Sequence, residues 1–216
     1  MDGEYVARME HLLSLYERPY DPNRPLVCFD ERSVQLMEDV HAPLPAAPGR
    51  VARQDYEYRR CGTVNLFLHV EPKAGWRHVQ VTDQRTKIDF AQQMKYLVDE
   101  RYPHAQTIDV VLDNLNTHTY GSLYEAFPAD EAFRIAHRLA FHPTPKHGSW
   151  LSMAEIEFSV MARQCIHERT PDAARLAKQI APWENERNAA RVRINWRFNV
   201  DDARSSLGRL YPALPS

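Results

Sequence analysis

Cysteine is scarce in this sequence. The only three among 216 residues are Cys28, Cys61 and Cys165, and none belongs to a CxxC pair. Their odd number and wide spacing argue against a disulfide framework and against a cysteine-based zinc site. No HxH or HExxH pattern is present either, which removes the usual histidine signature of zinc. The sequence therefore predicts buried thiols in a reducing compartment.

Long apolar runs are also missing. No stretch reaches the roughly 20 residues of a membrane-spanning helix, and the first 21 residues are charged throughout, without the apolar centre of a signal peptide. The composition is 44% hydrophobic and 26% charged, which is typical of a globular protein. We therefore expect a cytoplasmic protein with no membrane partner.

Negative charge is in slight excess. The net charge is −2, so the whole chain is not an evident nucleic-acid binder. The C-terminal part departs from this balance, because six arginines there are opposed only by Asp201 and Asp202. Such a segment could bind phosphate. It could equally be a solvated face that balances acidic neighbours. The six are Arg187, Arg191, Arg193, Arg197, Arg204 and Arg209.

Hydrophobic periodicity places strands early in the chain and alternates strands with helices later. Predicted strands cover residues 25–31, 61–72, 76–86, 107–114 and 134–145, and predicted helices cover 4–16, 87–101, 121–127, 149–166 and 172–191. This order indicates an α/β protein with a mixed five-stranded sheet flanked by helices. An RNase H-like three-layer fold has this order, and other three-layer folds share much of it. We expect an N-terminal helix or linker over 1–20, a main domain with this fold over 21–170 and a helical, arginine-rich extension over 171–216.

Two aspartates follow apolar strand segments. Asp30 ends "PLVCFD" and Asp113 ends "TIDVVLD". If the two strands are parallel neighbours, their ends place both carboxylates at one edge of the sheet, where ligand sites of open α/β sheets tend to lie.

A third acid, Glu155, lies near the start of the predicted helix 149–166. It borders the apolar face marked by Leu151 and Phe158, whereas Glu157 points away from it. An inward carboxylate needs a partner, and two further acids around a divalent cation would provide one. Two Mg²⁺ ions held by such a trio serve phosphodiester cleavage or transfer.

Each acid also has a simpler interpretation. Asp113 and Asn114 are typical of a turn, and Asp30 and Glu31 could be a strand exit facing solvent. "SMAE" fits a capping box in which Glu155 bonds only a backbone N–H. His118 and His147 could be polar loop residues.

Three blocks resemble the catalytic blocks of mariner-type insertion-sequence transposases of the insertion-sequence six-thirty family. They are "CFDE", "VVLDNLNTH" and "HPTPKHGSWLSMAEIE", and "ERNAARVRINWRF" is also similar. The resemblance covers the chain from about residue 21 and implies an RNase H-like DDE domain that binds two Mg²⁺ or Mn²⁺ ions. It implies that Asp30, Asp113 and Glu155 are the catalytic metal ligands, with Glu31, Asn114, His118 and Ser152 as supporting residues.

The resemblance also implies partners. We expect DNA, as element ends and target, and a homodimer, in a bacterial protein associated with the nucleoid. Candidate DNA-binding residues are Lys146, His147, Arg187, Arg191, Arg193 and Arg197.

The sequence departs from the family pattern in two places. Ser152 stands where the family usually has asparagine, so the second hydrogen-bonding arm of an amide is lost. Residues 1–20 are too few for the helix-turn-helix module that recognises element ends, so we expect a separate polypeptide to supply it.

The leading hypothesis is a DNA transposase catalytic domain that hydrolyses phosphodiesters at element ends and joins them to target DNA. A general RNase H-like nuclease without strand transfer is a second enzyme hypothesis. The third is a weak or inactive transposase fragment that binds DNA or dimerises as a regulator.

Overall fold

Apolar strands assemble into one mixed sheet in the structure, a computed structural model that describes residues 3–41, 46–51, 56–166 and 168–212. The strand order across the sheet is β3-β2-β1-β4-β5. Strand β1 pairs antiparallel with β2 and parallel with β4, so it joins a hairpin-built half to a parallel half. The strands are β1 Leu26–Asp39, β2 Tyr58–Glu71, β3 Trp76–Thr82, β4 Ile108–Leu112 and β5 Leu139–Pro143.

Helices cover both faces of this sheet, as the predicted mixed three-layer arrangement requires. They are α1 Gly3–Glu17, α2 Lys87–Tyr96, α3 Tyr120–Ala126, α4 Ala129–Ala136, α5 Met153–Gln164, α6 Ala173–Ala189 and α7 Val200–Ser206. Short π-helical and 3₁₀ segments lie at Leu97–Arg101, Ser149–Leu151 and Gly208–Leu210.

The two faces have separate cores because strand side chains alternate. In β1, Leu26 and Cys28 face the core formed with α1, α5, α6 and α7. Val27 and Phe29 face the core formed with α2, α3 and α4. The start of β1 is therefore buried on both sides, which explains its continuous apolar sequence.

The segment 134–145 differs from its prediction. It was expected to be one strand, but its first part completes helix α4, and β5 begins only at Leu139. Ala132 and Ile135 are fully buried at helical spacing, whereas the strand pattern holds only from Leu139. Eight residues give too few turns for a clear periodic signal, so this helix was missed.

The tail also contains a helix that was not predicted. Helix α7 is short, and Asn199 begins it by accepting a hydrogen bond from the backbone N–H of Asp202, while Asp202 bonds back to Asn199. This reciprocal cap stabilises a helix that composition alone does not indicate.

The N-terminal helix packs into the main core. Met9, Leu12 and Leu13 are fully buried against strands and helices from the rest of the chain. The division into a linker, a catalytic domain and an extension stays a prediction. Within the described ranges, no helix is both long and apolar enough to cross a bilayer.

Candidate active site

Asp30 lies within strand β1, not at its end. The prediction that it closes the strand was wrong, because β1 continues to Asp39 as one arm of a long hairpin with β2. The parallel pairing with β4 does stop nearby, however. Its last pair is Cys28 with Val111, and two further residues along each strand lead to Asp30 and Asp113. The two aspartates therefore stand side by side where the parallel pairing ends.

The Asp30 carboxyl group is mostly buried and surrounded by like charge. Burial raises its pKa, repulsion from Asp113, Glu31 and Glu155 raises it further, and the pKa reaches about 7. A 2.8 Å hydrogen bond from the Glu31 backbone N–H opposes this shift but does not cancel it. Carboxylates from β1, the loop after β4 and helix α5 therefore share one electrostatic environment.

Asp113 both turns the chain and faces the site. Its Oδ1 accepts a 3.1 Å hydrogen bond from the backbone N–H of Leu115, the bond expected of an aspartate that begins a turn. Its side chain is 41% exposed, so it remains accessible to a ligand. The turn interpretation and the site interpretation are therefore compatible at this residue.

His118 links the second aspartate to the neighbour of the first. Its Nδ1 lies 2.6 Å from Asp113 Oδ1 and its Nε2 lies 2.9 Å from Glu31 Oε2. Both oxygens lie off the directions of the ring N–H bonds, so the contacts are mainly electrostatic. The ring packs between Phe29 and Phe90, with centroids 5.4 and 4.8 Å away.

The charge of His118 follows from these contacts. Burial alone would lower its pKa, but the Asp113 and Glu31 carboxylates outweigh burial and raise the pKa to about 9. His118 is therefore a cation at neutral pH. It holds Glu31, whose side chain is only 2% exposed, and one oxygen of Asp113. His118 and Glu31 therefore have a positioning role.

Asn114 is fixed from two sides. Its amide nitrogen donates to the Thr144 carbonyl, and its Oδ1 accepts a 2.9 Å hydrogen bond from Arg8 Nη1. Arg8 comes from α1 and was not among the predicted site residues. No local sequence signal could have found it, because 106 residues separate the partners.

Glu155 is exposed in the first turn of α5. The expectation that it turns inward was wrong, and so was the expectation that Glu157 points away. Glu157 is 1% exposed and lies 2.8 Å from Arg77 Nε and 2.9 Å from Arg187 Nε. Two arginines offset the burial of this carboxylate, whereas Glu155 keeps access to solvent while still interacting with Asp30.

Ser152 precedes α5 but does not cap it. Its side chain makes no capping hydrogen bond, and it separates a 3₁₀ turn at Ser149–Leu151 from the helix. The capping-box interpretation of Glu155 therefore fails. The predicted continuous helix over 149–166 is interrupted at Ser152, between the 3₁₀ turn and α5.

The candidate DNA-binding residues have different surroundings. Arg187 is held by Glu157 with only 16% of its side chain exposed, so its assignment to DNA binding is corrected to a structural role. The other five are exposed: Lys146, His147, Arg191, Arg193 and Arg197.

The carboxylates of Asp30, Asp113 and Glu155 are ligands that a hard divalent cation prefers, although they are not arranged as a complete coordination site. In the part of the chain that the structure describes, no three histidine, cysteine, aspartate or glutamate side chains converge as metal ligands. Neither Asp30 nor Glu155 has an ion-pair partner among the described residues. Uncompensated oxygen donors around a carboxyl group with a raised pKa are what Mg²⁺ or Mn²⁺ would neutralise. The residues therefore fit such a cation.

Comparisons with known proteins agree with this geometry. The sequence profile of the DDE superfamily endonucleases matches residues 25–177, which include all three acids. We found no matching protein among curated sequences.

Solved structures of a mariner transposase share the fold. The Mos1 mariner paired-end complex with Mn has a TM-score of 0.57 at 13% identity, over 89% of this chain and 59% of that one. The Mos1 paired-end complex with left transposon end gives 0.58 at 14%, with the same coverage. The Mos1 strand transfer complex gives 0.56 at 15%, over 88% and 55%. The chain thus spans less than two thirds of these proteins, and the predicted RNase H-like fold is confirmed.

Proposed function

Because this chain belongs to the DDE superfamily endonucleases, we propose that it is the catalytic domain of a mariner-type DNA transposase. It would hydrolyse a phosphodiester at each element end and join the freed 3′-hydroxyl to target DNA. The likeness to Mos1 complexes with a transposon end and with strand-transfer DNA supports this reaction class. The chain covers only 55–59% of those proteins, so the complete reaction is part of the proposal.

The observation that carries the proposal is the placement of Asp30 and Asp113 side by side where the β1–β4 pairing ends, with Glu155 close enough to raise the pKa of Asp30. The three residues lie on different elements, and all three fall within the segment that matches the family profile. The fully buried acids Glu157 and Asp109, by contrast, have cationic partners. Asp30 and Glu155 have none among the described residues, as a site that binds cations requires.

Asp30, Asp113 and Glu155 would hold two Mg²⁺ or Mn²⁺ ions. Such ions, when bound, activate the attacking oxygen and stabilise the leaving oxygen of an in-line displacement. The protein's own contribution is to position the ligands. Strand pairing fixes Asp30, His118 fixes one oxygen of Asp113, and Arg8 fixes the neighbouring Asn114.

DNA cleavage by an Asp113→Asn variant tests the assignment. A labelled duplex that ends in the element's inverted repeat should be nicked by the wild-type protein in Mn²⁺, and the variant should lose this activity. Asp130→Asn, an exposed aspartate on α4, is the matched control and should keep it. Nicking that persists in Asp113→Asn would overturn the site.

Strand transfer separates the transposase from a simple nuclease. Pre-nicked ends with a free 3′-hydroxyl should be joined to plasmid DNA by a transposase, whereas a general nuclease gives only shortened products. Failure to join, with nicking intact, would favour the nuclease.

An inactive DNA-binding or dimerising regulator is the second candidate, favoured by Ser152, which does not cap α5. Calorimetric titration with Mn²⁺ separates the two candidates, because an enzyme should bind the ion in a manner that depends on Asp30, Asp113 and Glu155. A homodimer, a separate helix-turn-helix partner and a cytoplasmic location at the nucleoid complete the proposal.

A further inference from the structure

A large open cleft of about 1050 Å³ lies around the β2–β3 turn, near the start of β1. Its walls are the turn after α1, the β2–β3 turn and the extended segment 191–196. Met153, at the start of α5, also lines it, only two residues before Glu155. None of Asp30, Asp113 and Glu155 lines the cleft, so it is distinct from the candidate active site.

The extended segment is fixed to the β2–β3 turn through its backbone. Ile194 N donates to the Pro72 carbonyl at 3.0 Å. The buried Arg77 guanidinium bridges the carbonyls of Gly75 and Val192 at 3.2 and 2.7 Å. Gly75 has φ +72°, and a Cβ there would lie 2.4 Å from the Arg191 backbone, so only glycine allows this close approach.

Side chains of this segment alternate between two surroundings. Ile194 and Trp196 pack against the core, whereas Arg191 and Arg193 are exposed. Both exposed arginines line the cleft. The backbone is held in place and the arginines are not needed to hold it, so their charges are available to a ligand.

The cleft carries an excess of positive charge on a chain whose net charge is −2. Five cations line it against one acid, Glu17. Arg18 is compensated by Asp109 and Arg101 by Glu71. Lys73, Arg191 and Arg193 have no charged partner among the described residues, and burial and the nearby Arg18 lower the pKa of Lys73.

Aromatic rings are interleaved with these cations. Tyr20, which is 52% exposed, lines the cleft. Trp76 and Trp196 also line it, and the Arg101 guanidinium lies 4.2 Å from the Trp76 ring. Positive grooves with aromatic side chains are typical of proteins that bind single-stranded nucleic acid, because phosphates meet the cations and bases stack on the rings.

We propose that this cleft binds a single-stranded stretch of DNA. Lys73, Arg191 and Arg193 would contact phosphates, and Tyr20 would stack on a base. The inference rests on the proposed function for the identity of the nucleic acid as DNA. An acidic peptide fits less well, since it offers no bases for the exposed ring.

Binding without metal tests the cleft independently of catalysis. Fluorescence anisotropy in EDTA would follow a labelled 20-nucleotide deoxythymidine strand across a salt series. The triple variant Lys73→Gln/Arg191→Gln/Arg193→Gln should bind roughly tenfold more weakly, with a salt slope smaller by about 2, as expected when three phosphate contacts to a single strand are lost.

The matched control removes three exposed positive charges elsewhere. Arg163→Gln/Lys178→Gln/Arg209→Gln should change the affinity by less than about twofold, because net charge alone acts weakly over more than a Debye length. Equal losses in the two triple variants, or no loss in the first with its circular dichroism unchanged, would overturn the proposal.

The Tyr20→Ala variant tests whether the cleft prefers single-stranded DNA to a duplex. Loss of one stacked base should weaken binding of the single strand roughly fivefold, with little change for a duplex of the same length. An unchanged single-strand affinity, or an equal loss for the duplex, would overturn it. Failure of DNA cleavage in Mn²⁺ with these binding results intact would count against the catalytic proposal alone.

Discussion

Two aspartates on neighbouring parallel strands, the partly buried Asp30 on β1 and the fully buried Asp109 on β4, differ in the charges around them. Asp109 is fully buried and bonded by Arg18, Arg24 and His142 at 2.5 to 2.8 Å. Burial would raise its pKa, but these cations outweigh burial and hold it well below its usual range. For Asp30, repulsion from the acids Asp113, Glu31 and Glu155 adds to the effect of burial, and its pKa rises to about 7.

This difference in compensating charge assigns Asp109 to the stability of the fold and Asp30 to ligand binding within the same sheet. A buried carboxylate with its full set of cations is satisfied and fastens the surrounding elements together. A carboxylate that is buried among other acids destabilises the folded state unless a cation arrives from solution. The second arrangement is typical of binding sites.

Removing the Asp30 charge should have the largest effect on activity. We expect Asp30→Asn to reduce the rate of DNA nicking by at least about 10³-fold, equal to about 4 kcal/mol of transition-state stabilisation. The reason is that one metal-binding oxygen disappears. The variant should be at least as stable as wild type in EDTA, because an uncompensated charge is removed. Urea unfolding and a nicking assay in Mn²⁺ measure the two quantities, and a variant that unfolds more easily would break the comparison.

Asp109→Asn should show the opposite pattern. Three cations lose their common partner, so we expect a loss of about 3 kcal/mol in the free energy of unfolding. This is the low end for a buried pair, since Arg18 and Arg24 are 35% and 49% exposed. Urea unfolding measures it, with Asp130→Asn as the exposed control. A loss below about 1 kcal/mol would show that Asp109 is not a structural centre.

The sequence predicted the positions of the strands better than it predicted which charged residues pair in the fold. Alternation located the strands because each side chain of β1 enters one of two cores. The candidate catalytic acids were predicted from motifs in their own blocks. Glu157 and its partner Arg77 were missed because they come from different elements, and only the folded chain brings them together.

Asp109 did leave a signal that could have been used. It interrupts the otherwise apolar strand "IDVVL", and charged residues are almost never fully buried unless they are paired. The signal predicts that a partner exists but not which one. Arg18 and Arg24 are 91 and 85 residues away, and nothing local identifies them.

Divalent cations should sharpen the comparison in a stability measurement. Mn²⁺ at about 100 times its dissociation constant should stabilise the wild-type protein by about 2.7 kcal/mol if it binds only the folded state. Asp109→Asn should retain this increment on its lower baseline, and Asp30→Asn should lose it. Urea unfolding with and without Mn²⁺ gives both numbers. An equal increment in Asp30→Asn would place the cation elsewhere.

The smallest expected effect is the dependence of stability on pH in EDTA. The folded-state pKa of Asp30 is about 7, above the roughly 3.9 of an unfolded aspartate. Between these values the folded state keeps a proton that the unfolded state has lost, so wild-type stability falls as pH rises through this window. Asp109, with its lowered pKa, contributes stability that is present above the unfolded value and lost only as pH falls below it.

The two aspartates therefore act in separate pH ranges, and Asp30→Asn isolates the first. The variant should gain stability relative to wild type by about 1 kcal/mol between pH 5 and pH 8, after allowance for the partial exposure of Asp30. Urea midpoints measured at half-unit steps of pH resolve this change. A difference that stays constant across the window would mean that the carboxyl group is already ionised at pH 5, and the contrast with Asp109 would then rest on the metal experiment alone.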